Sequence, residues 1–211
     1  MNITFISAPA AGKGLISSML NEKYGFPHVS IGDLLRSVDD ENVRKQLEDG
    51  EFVDNNLIAK LLKERLYRPD CKEGFILDGF PRNMSQISIY EDICEHVNDK
   101  KNIIIVLDIP REIGEKRITG RRVCLNCGYV FNEYFDKPKV SGICDHCGHE
   151  LIHRSDDNID TYDRRYDTYL KETKQVIDYF ETKGNVYHVD GSKSSDDTFS
   201  DIEKIIGGYD D

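Results

Sequence analysis

The chain has 211 residues, 38% of them hydrophobic, and a formal net charge of −11. That apolar share, set in recognisable elements, describes one folded core with small inserts and excludes a disordered chain. The acidic balance disfavours a nucleic-acid binder, which carries a basic excess or stripe. The longest apolar run, Ile103 to Leu107, is too short to span a bilayer. Met1 leads directly into the strand-like Ile3-Thr4-Phe5-Ile6, with no charged segment followed by an apolar one. A cytoplasmic protein that engages neither membrane nor nucleic acid is expected.

Ile3 to Ile6 reads as a buried strand, Ser7 to Gly14 as a turn of small residues, and Leu15 to Tyr24 as a helix. Val29 to Ile31 reads as a short strand end, and Asp33 is placed to cap a helix starting at Leu34. Val43 to Leu47 and Leu57 to Leu66 carry helical spacing. Phe75-Ile76-Leu77 and Ile103 to Leu107 are short runs of β-formers followed by polar turns, as in parallel strands covered on both faces. Val123 to Ile152 breaks the alternation and reads as a small inserted domain. Tyr162 to Phe180 reads as one long helix with Leu170, Ile177 and Phe180 on one side. Val186 to Val189 is the last strand and Phe199 to Ile206 the last helix. Strands alternating with helices specify an α/β doubly wound sheet, whose ligands lie beyond the C-terminal strand ends. Ser7 to Gly14, Asp78 to Arg82, Asp108 and Asp190 all follow strands and should gather there.

Three groups of residues carry chemistry. Ser7-Ala8-Pro9-Ala10-Ala11-Gly12-Lys13-Gly14 joins a strand to a helix. Small residues there let backbone N–H groups approach phosphate oxygens, the helix N-terminus adds positive potential, and Lys13 adds a point charge. The alternative is an ordinary strand-to-helix turn. Cys124, Cys127, Cys144 and Cys147 form C-x₂-C-x₁₆-C-x₂-C, with Gly128 and Gly148 after the second cysteine of each pair. Four thiolates close a tetrahedral zinc site of the structural kind, with two disulfides as the alternative. Cys71 and Cys94 fall outside that spacing and read as buried thiols. Arg117, Arg121, Arg122, Arg154, Arg164 and Arg165 are concentrated in the same region of the chain, either as phosphate ligands or as a solvated face balancing carboxylates.

Taken together, the motifs resemble the adenylate kinase family, in its zinc-containing, long-lid bacterial type. Pro9, Gly12, Lys13 and Gly14 match the family's phosphate loop, while Ser7, Ala10 and Leu15 depart from it. Ser30-Ile31-Gly32-Asp33-Leu34-Leu35-Arg36 is similar to the family's acceptor motif, with Ile31 in place of a threonine. Asp78-Gly79-Phe80-Pro81-Arg82 with Gln86 is similar to D-G-[FY]-P-R-x-x-x-Q. The resemblance implies a five-stranded parallel sheet with a P-loop NTPase-like core over 1–29, 60–120 and 158–211. It also implies an acceptor-binding insert over 30–59 and a zinc-ribbon lid over 121–157.

The activity implied is reversible Mg²⁺-dependent transfer of the ATP γ-phosphate to AMP, giving two ADP. Alternatives are a kinase for another nucleoside monophosphate and a weakly active or inactive nucleotide-binding paralogue. Lys13, Arg82, Arg117, Arg121, Arg154, Arg165, Asp156 and Asp157 would be the catalytic set. The donor ATP would meet Ala10, Ala11, Gly12, Lys13, Gly14, Leu15, Arg117, Arg121, Val130, Phe131 and Lys193. The acceptor AMP would meet Ile31, Arg36, Glu51, Phe52, Val53, Gly79, Phe80, Pro81, Arg82, Gln86, Arg154 and Arg165. Asp78 would hold magnesium through water, and Cys124, Cys127, Cys144 and Cys147 one structural zinc. The partners implied are ATP, AMP and ADP, and the chain is expected to be monomeric.

Overall fold

The computed structural model describes residues 1–208. Five parallel strands form the main sheet in the order β2-β3-β1-β4-β8. They are β1 (Asn2–Phe5), β2 (His28–Ser30), β3 (Phe75–Asp78), β4 (Asn102–Asp108) and β8 (Val186–Asp190). β1 and the interior of β4 are fully buried, as strands with helices on both faces must be. Period-two alternation sorts their side chains between the two faces. Ile3, Phe5, Ile103, Ile105 and Leu107 pack with Ile16 and Leu20 of α1 (Lys13–Tyr24) and Ile202 and Ile206 of α9 (Ser195–Gly207). Leu77, Phe75, Ile104 and Val106 pack on the other face. Their partners there come from α4 (Asn55–Leu66), α5 (Ile87–Val97) and α8 (Lys174–Glu181).

The acceptor-side insert starts with α2 (Ile31–Arg36) and α3 (Glu41–Asp49). Asp40 and Asp54 cap α3 and α4, each carboxylate accepting from two backbone N–H groups. Ile31, Leu35, Val43, Val53 and Ile58 belong to the same apolar cluster as the sheet face. The lid instead has an apolar cluster of its own. Its sheet is antiparallel, with β5 (Arg121–Cys124) between β6 (Val130–Asn132) and β7 (Leu151–Ile152).

Two expectations are corrected. The cap of α2 is Ser30, whose hydroxyl accepts from the Asp33 N–H, so Asp33 lies inside the first turn and is free for other partners. The expected single helix from Tyr162 to Phe180 is α7 (Ile159–Thr168), a π-helical segment Tyr169–Thr173, and α8. That wider turn breaks the periodicity between Leu170 and Ile177. Leu170 is consequently 48% exposed, whereas Ile177 and Phe180 are buried. Two further helices, α5 and α6 (Arg111–Gly120), had no counterpart in the sequence reading. The signal for α5 was present in the three- and four-residue spacing of Ile87, Tyr90, Ile93 and Cys94. α6 buries only Gly114, Ile118 and Gly120, too thin a stripe to read.

Candidate active site

The loop after β1 returns to the sheet edge through Ser7, whose hydroxyl accepts from the Leu107 N–H at 2.7 Å. Ser7 thus ties the loop to β4. Ala10 lies at φ 60°, the one non-glycine among the described residues with positive φ, and Gly12 follows at φ 97°. For Ala10 that conformation costs about 1–2 kcal/mol. α1 then begins at Lys13 with no side-chain cap, which leaves its first N–H groups to a ligand. Lys13 Nζ donates to the Ala8 carbonyl at 3.2 Å across the loop. Burial lowers its pKa, with Asp78 opposing and Arg82 and Arg121 adding to the shift. Gly191 beyond β8 donates its N–H to the Asp108 carbonyl, and a Cβ on it would come within 3.3 Å of the Ala11 carbonyl. The strand ends of β1, β4 and β8 therefore meet at the loop. The Lys193 side chain turns away to Asp201.

β3 delivers Asp78 to the same edge. Burial alone would raise its pKa, but Lys13 and His28 overcome it and hold the carboxyl below its ordinary value. Arg82 follows, its Nε donating to the Gly79 carbonyl at 2.7 Å and its backbone N–H to Gln86 Oε1 at 2.8 Å. Its guanidinium is driven down to about 10 by burial first, then by Arg165 and Arg36, with Asp78 opposing. Lys13, Arg36, Arg82, Arg121 and Arg165 thus crowd one volume, an arrangement that stores affinity for an anion.

The carboxylates hold the arginines apart. Asp156 accepts from Arg36 at 3.0 Å and Arg165 at 2.7 Å. Burial opposes ionisation of Asp156, yet these two arginines keep its carboxyl far below the usual range. Asp157, fully buried, takes both nitrogens of a fork from Arg121. Arg154 donates to Asp33 at 3.5 Å, and burial with Arg36 and Arg121 nearby lowers its pKa. Arg165 also donates to the Leu47 carbonyl, and Arg164 to those of Glu48 and Asp49. These arginines satisfy the last carbonyls of α3 and bind the insert to α7.

Arg117 on α6 donates to the Ala11 carbonyl at 3.1 Å, and its guanidinium lies 5.9 Å from the Phe135 ring. Phe135 is 57% exposed and was absent from the sequence reading, since an aromatic pair with Tyr134 in a turn carries no periodic pattern. A cation beside an open ring is a flat surface suited to a planar base. Phe131 is buried among Cys124, Cys144 and Leu151, with Tyr129 against it at 4.7 Å, so its side chain belongs to the lid core. Val130 next to it is half-buried. On the acceptor side Ile31, Val53, Phe80 and Pro81 are buried, Phe52 is half-buried and Glu51 exposed.

In the lid, Gly128 at φ 77° and Gly148 at φ 73° build two equivalent knuckles. Their N–H groups donate to the Cys124 and Cys144 carbonyls at 2.9 Å each. All six cysteines are free thiols, and Cys71 and Cys94 are buried as expected. The four lid sulfurs lie within 4.8 Å of one another, with Cys124–Cys147 at 3.4 Å and Cys127–Cys144 at 3.6 Å. A tetrahedral thiolate site with Zn–S near 2.3 Å has edges of about 3.8 Å, so the donor set fits that ion. A disulfide would need sulfurs about 2.05 Å apart.

A phosphate loop on a parallel sheet, facing converging arginines and flanked by a thiolate-rich lid, defines a nucleoside monophosphate kinase. The family model described as "Adenylate kinase" matches residues 5–185. Similar chains include the adenylate kinase of Thermodesulfovibrio yellowstonii, 40% identical with 98% of this chain and 99% of that one covered. That of Archaeoglobus fulgidus is 39% identical with 98% of each covered, and that of Bacillus subtilis 35% identical with 99% of each covered. The chain belongs to the adenylate kinase family.

Proposed function

We propose that the site transfers the γ-phosphate of ATP to AMP, reversibly and with magnesium, giving two ADP. The observation that carries this reading is the convergence of Lys13, Arg36, Arg82, Arg121, Arg154 and Arg165 on one edge of the sheet. Phosphoryl transfer asks for in-line positioning and neutralisation of charge on the equatorial oxygens, with little covalent chemistry. The loop N–H groups from Ala10 to Leu15 and Lys13 hold the donor phosphates; Arg117 supports the donor base with Val130, the backbone at Phe131 and the Lys193 loop. Arg36 and Arg82 grip the acceptor phosphate, and Gln86 reads the base beside Ile31. Arg121, Arg154 and Arg165 close on the transferring group, with Asp156 and Asp157 holding those arginines in register.

Magnesium, carried in with ATP, neutralises phosphate charge, and Asp78, kept ionised beside Lys13, is the carboxylate that would hold it through water. Zinc on the four thiolates would stabilise a lid whose own apolar cluster is small. The domain division supporting this is a core over 1–29, 60–120 and 158–211, an acceptor insert over 30–59 and a lid over 121–157. Lid and insert closure excludes water, which would otherwise hydrolyse ATP. The reading is of a cytoplasmic monomer; no helix among the described residues is long and apolar enough to cross a membrane.

A coupled assay with ATP against AMP, GMP, CMP and UMP tests the proposal. AMP should be the preferred acceptor. Preference for another monophosphate would reassign the acceptor site. Tight ATP binding with no transfer to any acceptor would make the chain a binding module.

A further inference from the structure

A chain of amide groups runs behind the acceptor site. Gln86 is 1% exposed. Its Oε1 accepts from the Arg82 backbone N–H at 2.8 Å, and its Nε2 donates to Asn55 Oδ1 at 2.9 Å. Asn55 Nδ2 donates to Ser85 Oγ at 2.9 Å, and Ser85 Oγ donates to Asn83 Oδ1 at 2.6 Å. The two ends of a side-chain amide are alike in shape, so its orientation is set by its partners. Here the first partner leaves no freedom: a backbone N–H can only donate, so the end of Gln86 that faces Arg82 is oxygen. Nitrogen must then face Asn55, which answers with its own oxygen and passes the polarity on to Ser85.

We infer that Asn55 is a specificity-determining positioning residue, which locks the Gln86 amide in the polarity that selects a 6-amino purine over a 6-oxo purine. The inference rests on the proposed role of Gln86 as the reader of the acceptor base. With one bond made at each end, Gln86 keeps one Nε2–H and one Oε1 lone pair for a ligand. An adenine edge presents a donor at its 6-amino group and an acceptor at N1; a 6-oxo purine reverses both. A freely rotating amide would serve either base by turning over. A turned amide in this site sets N–H against N–H at Arg82 and oxygen against oxygen at Asn55. Asn55 could follow only by turning as well, and Ser85 would then have to donate to Asn55 and give up its bond to Asn83 Oδ1. Discrimination therefore comes from the cost of buried groups left unpaired, the strongest source of selectivity a polar site has.

The test uses the full chain and compares AMP with inosine monophosphate, which differs only in the 6-substituent and the N1 proton. kcat/KM with ATP as donor and calorimetric Kd are measured for both acceptors in wild type, Asn55→Leu, Asn55→Asp, Ser85→Ala and Gln86→Leu. Asn55→Leu removes one of two locks and should lower the AMP-to-inosine monophosphate ratio about tenfold, mainly through KM for AMP. Ser85→Ala frees Asn55 to turn and should lower the ratio by a smaller factor, with little risk to folding. Asn55→Asp can only accept, so it cannot follow a turned amide and should hold the ratio at or above wild type. A merely structural role would instead weaken both acceptors equally in all three variants. An unchanged ratio in Asn55→Leu and Ser85→Ala, with collapse in Gln86→Leu, overturns the lock and leaves Gln86 as base reader. An unchanged ratio in Gln86→Leu overturns both.

Discussion

Replacing Gly114 with alanine would test how the two helices that carry Arg117 and Arg165 are joined. A Cβ at Gly114 would stand 2.9 Å from Cζ and 3.1 Å from Cε2 of Tyr162, and nearer still to its hydroxyl oxygen. Tyr162 is 0% exposed, and its hydroxyl donates to the Arg111 carbonyl at 3.1 Å. The ring cannot yield without leaving its socket. Overpacking costs about 1–3 kcal/mol and the lost hydrogen bond about 1 more. Alanine returns about 1 kcal/mol through helix propensity. A net loss of about 1–3 kcal/mol should lower Tm by about 2–12 °C in a chain of this size. The same shift moves α6 against α7, so kcat/KM should fall as Arg117 and Arg165 lose their relative positions. Tyr162→Val empties the socket. The double variant Gly114→Ala with Tyr162→Val should be less destabilised than the sum of the singles by about 1–3 kcal/mol. Denaturant unfolding of all four proteins measures this. Strictly additive losses would show that Gly114 and Tyr162 do not share one volume and would refute the coupling.

Metal analysis should find about one zinc per chain, and chelation or Cys144→Ser should lower Tm more than it weakens ATP binding at mild temperature. Finding two disulfides instead would remove the lid assignment. Arg82→Ala should reduce kcat about 10²–10³-fold with the circular dichroism spectrum unchanged, because its charge contact strengthens as the transition state forms; near-normal turnover contradicts the acceptor-site assignment. The double change Ala10→Gly with Leu15→Thr relieves the φ 60° strain and adds a phosphate-facing hydroxyl. It should raise kcat/KM for ATP about tenfold if about 1.4 kcal/mol of transition-state stabilisation is recovered. His188 donates to Asp108 and Glu181, and these two carboxylates raise its pKa despite partial burial. Its stabilisation should be complete below pH about 6.5 and fade as pH rises through the higher folded value. The Tm gap between wild type and His188→Gln should therefore be wider at pH 6 than at pH 9, and a constant gap would count against the pairing.

Local sequence determined the strand–loop–helix order, the phosphate loop and the thiolate spacing, because each depends on residues that are close along the chain. Ile103 to Leu107 could only be a covered strand, and two Cys-x₂-Cys knuckles need nothing beyond themselves and a partner knuckle. The positive φ at Ala10 was also readable, as the consequence of an alanine where the turn favours glycine. Other features depend on residues far apart in sequence. The π-helical segment that exposes Leu170 and the socket of Tyr162 over Gly114 arise from helices packing against one another. Ser7 looked like a flaw in the phosphate loop until β4 placed the Leu107 N–H 2.7 Å from its hydroxyl. Asn55 bore no mark in the sequence at all, since its meaning is the polarity of an amide 31 residues away. Motif chemistry is legible from spacing, whereas hydrogen-bond direction and side-chain volume are decided only when the tertiary fold brings distant groups into contact.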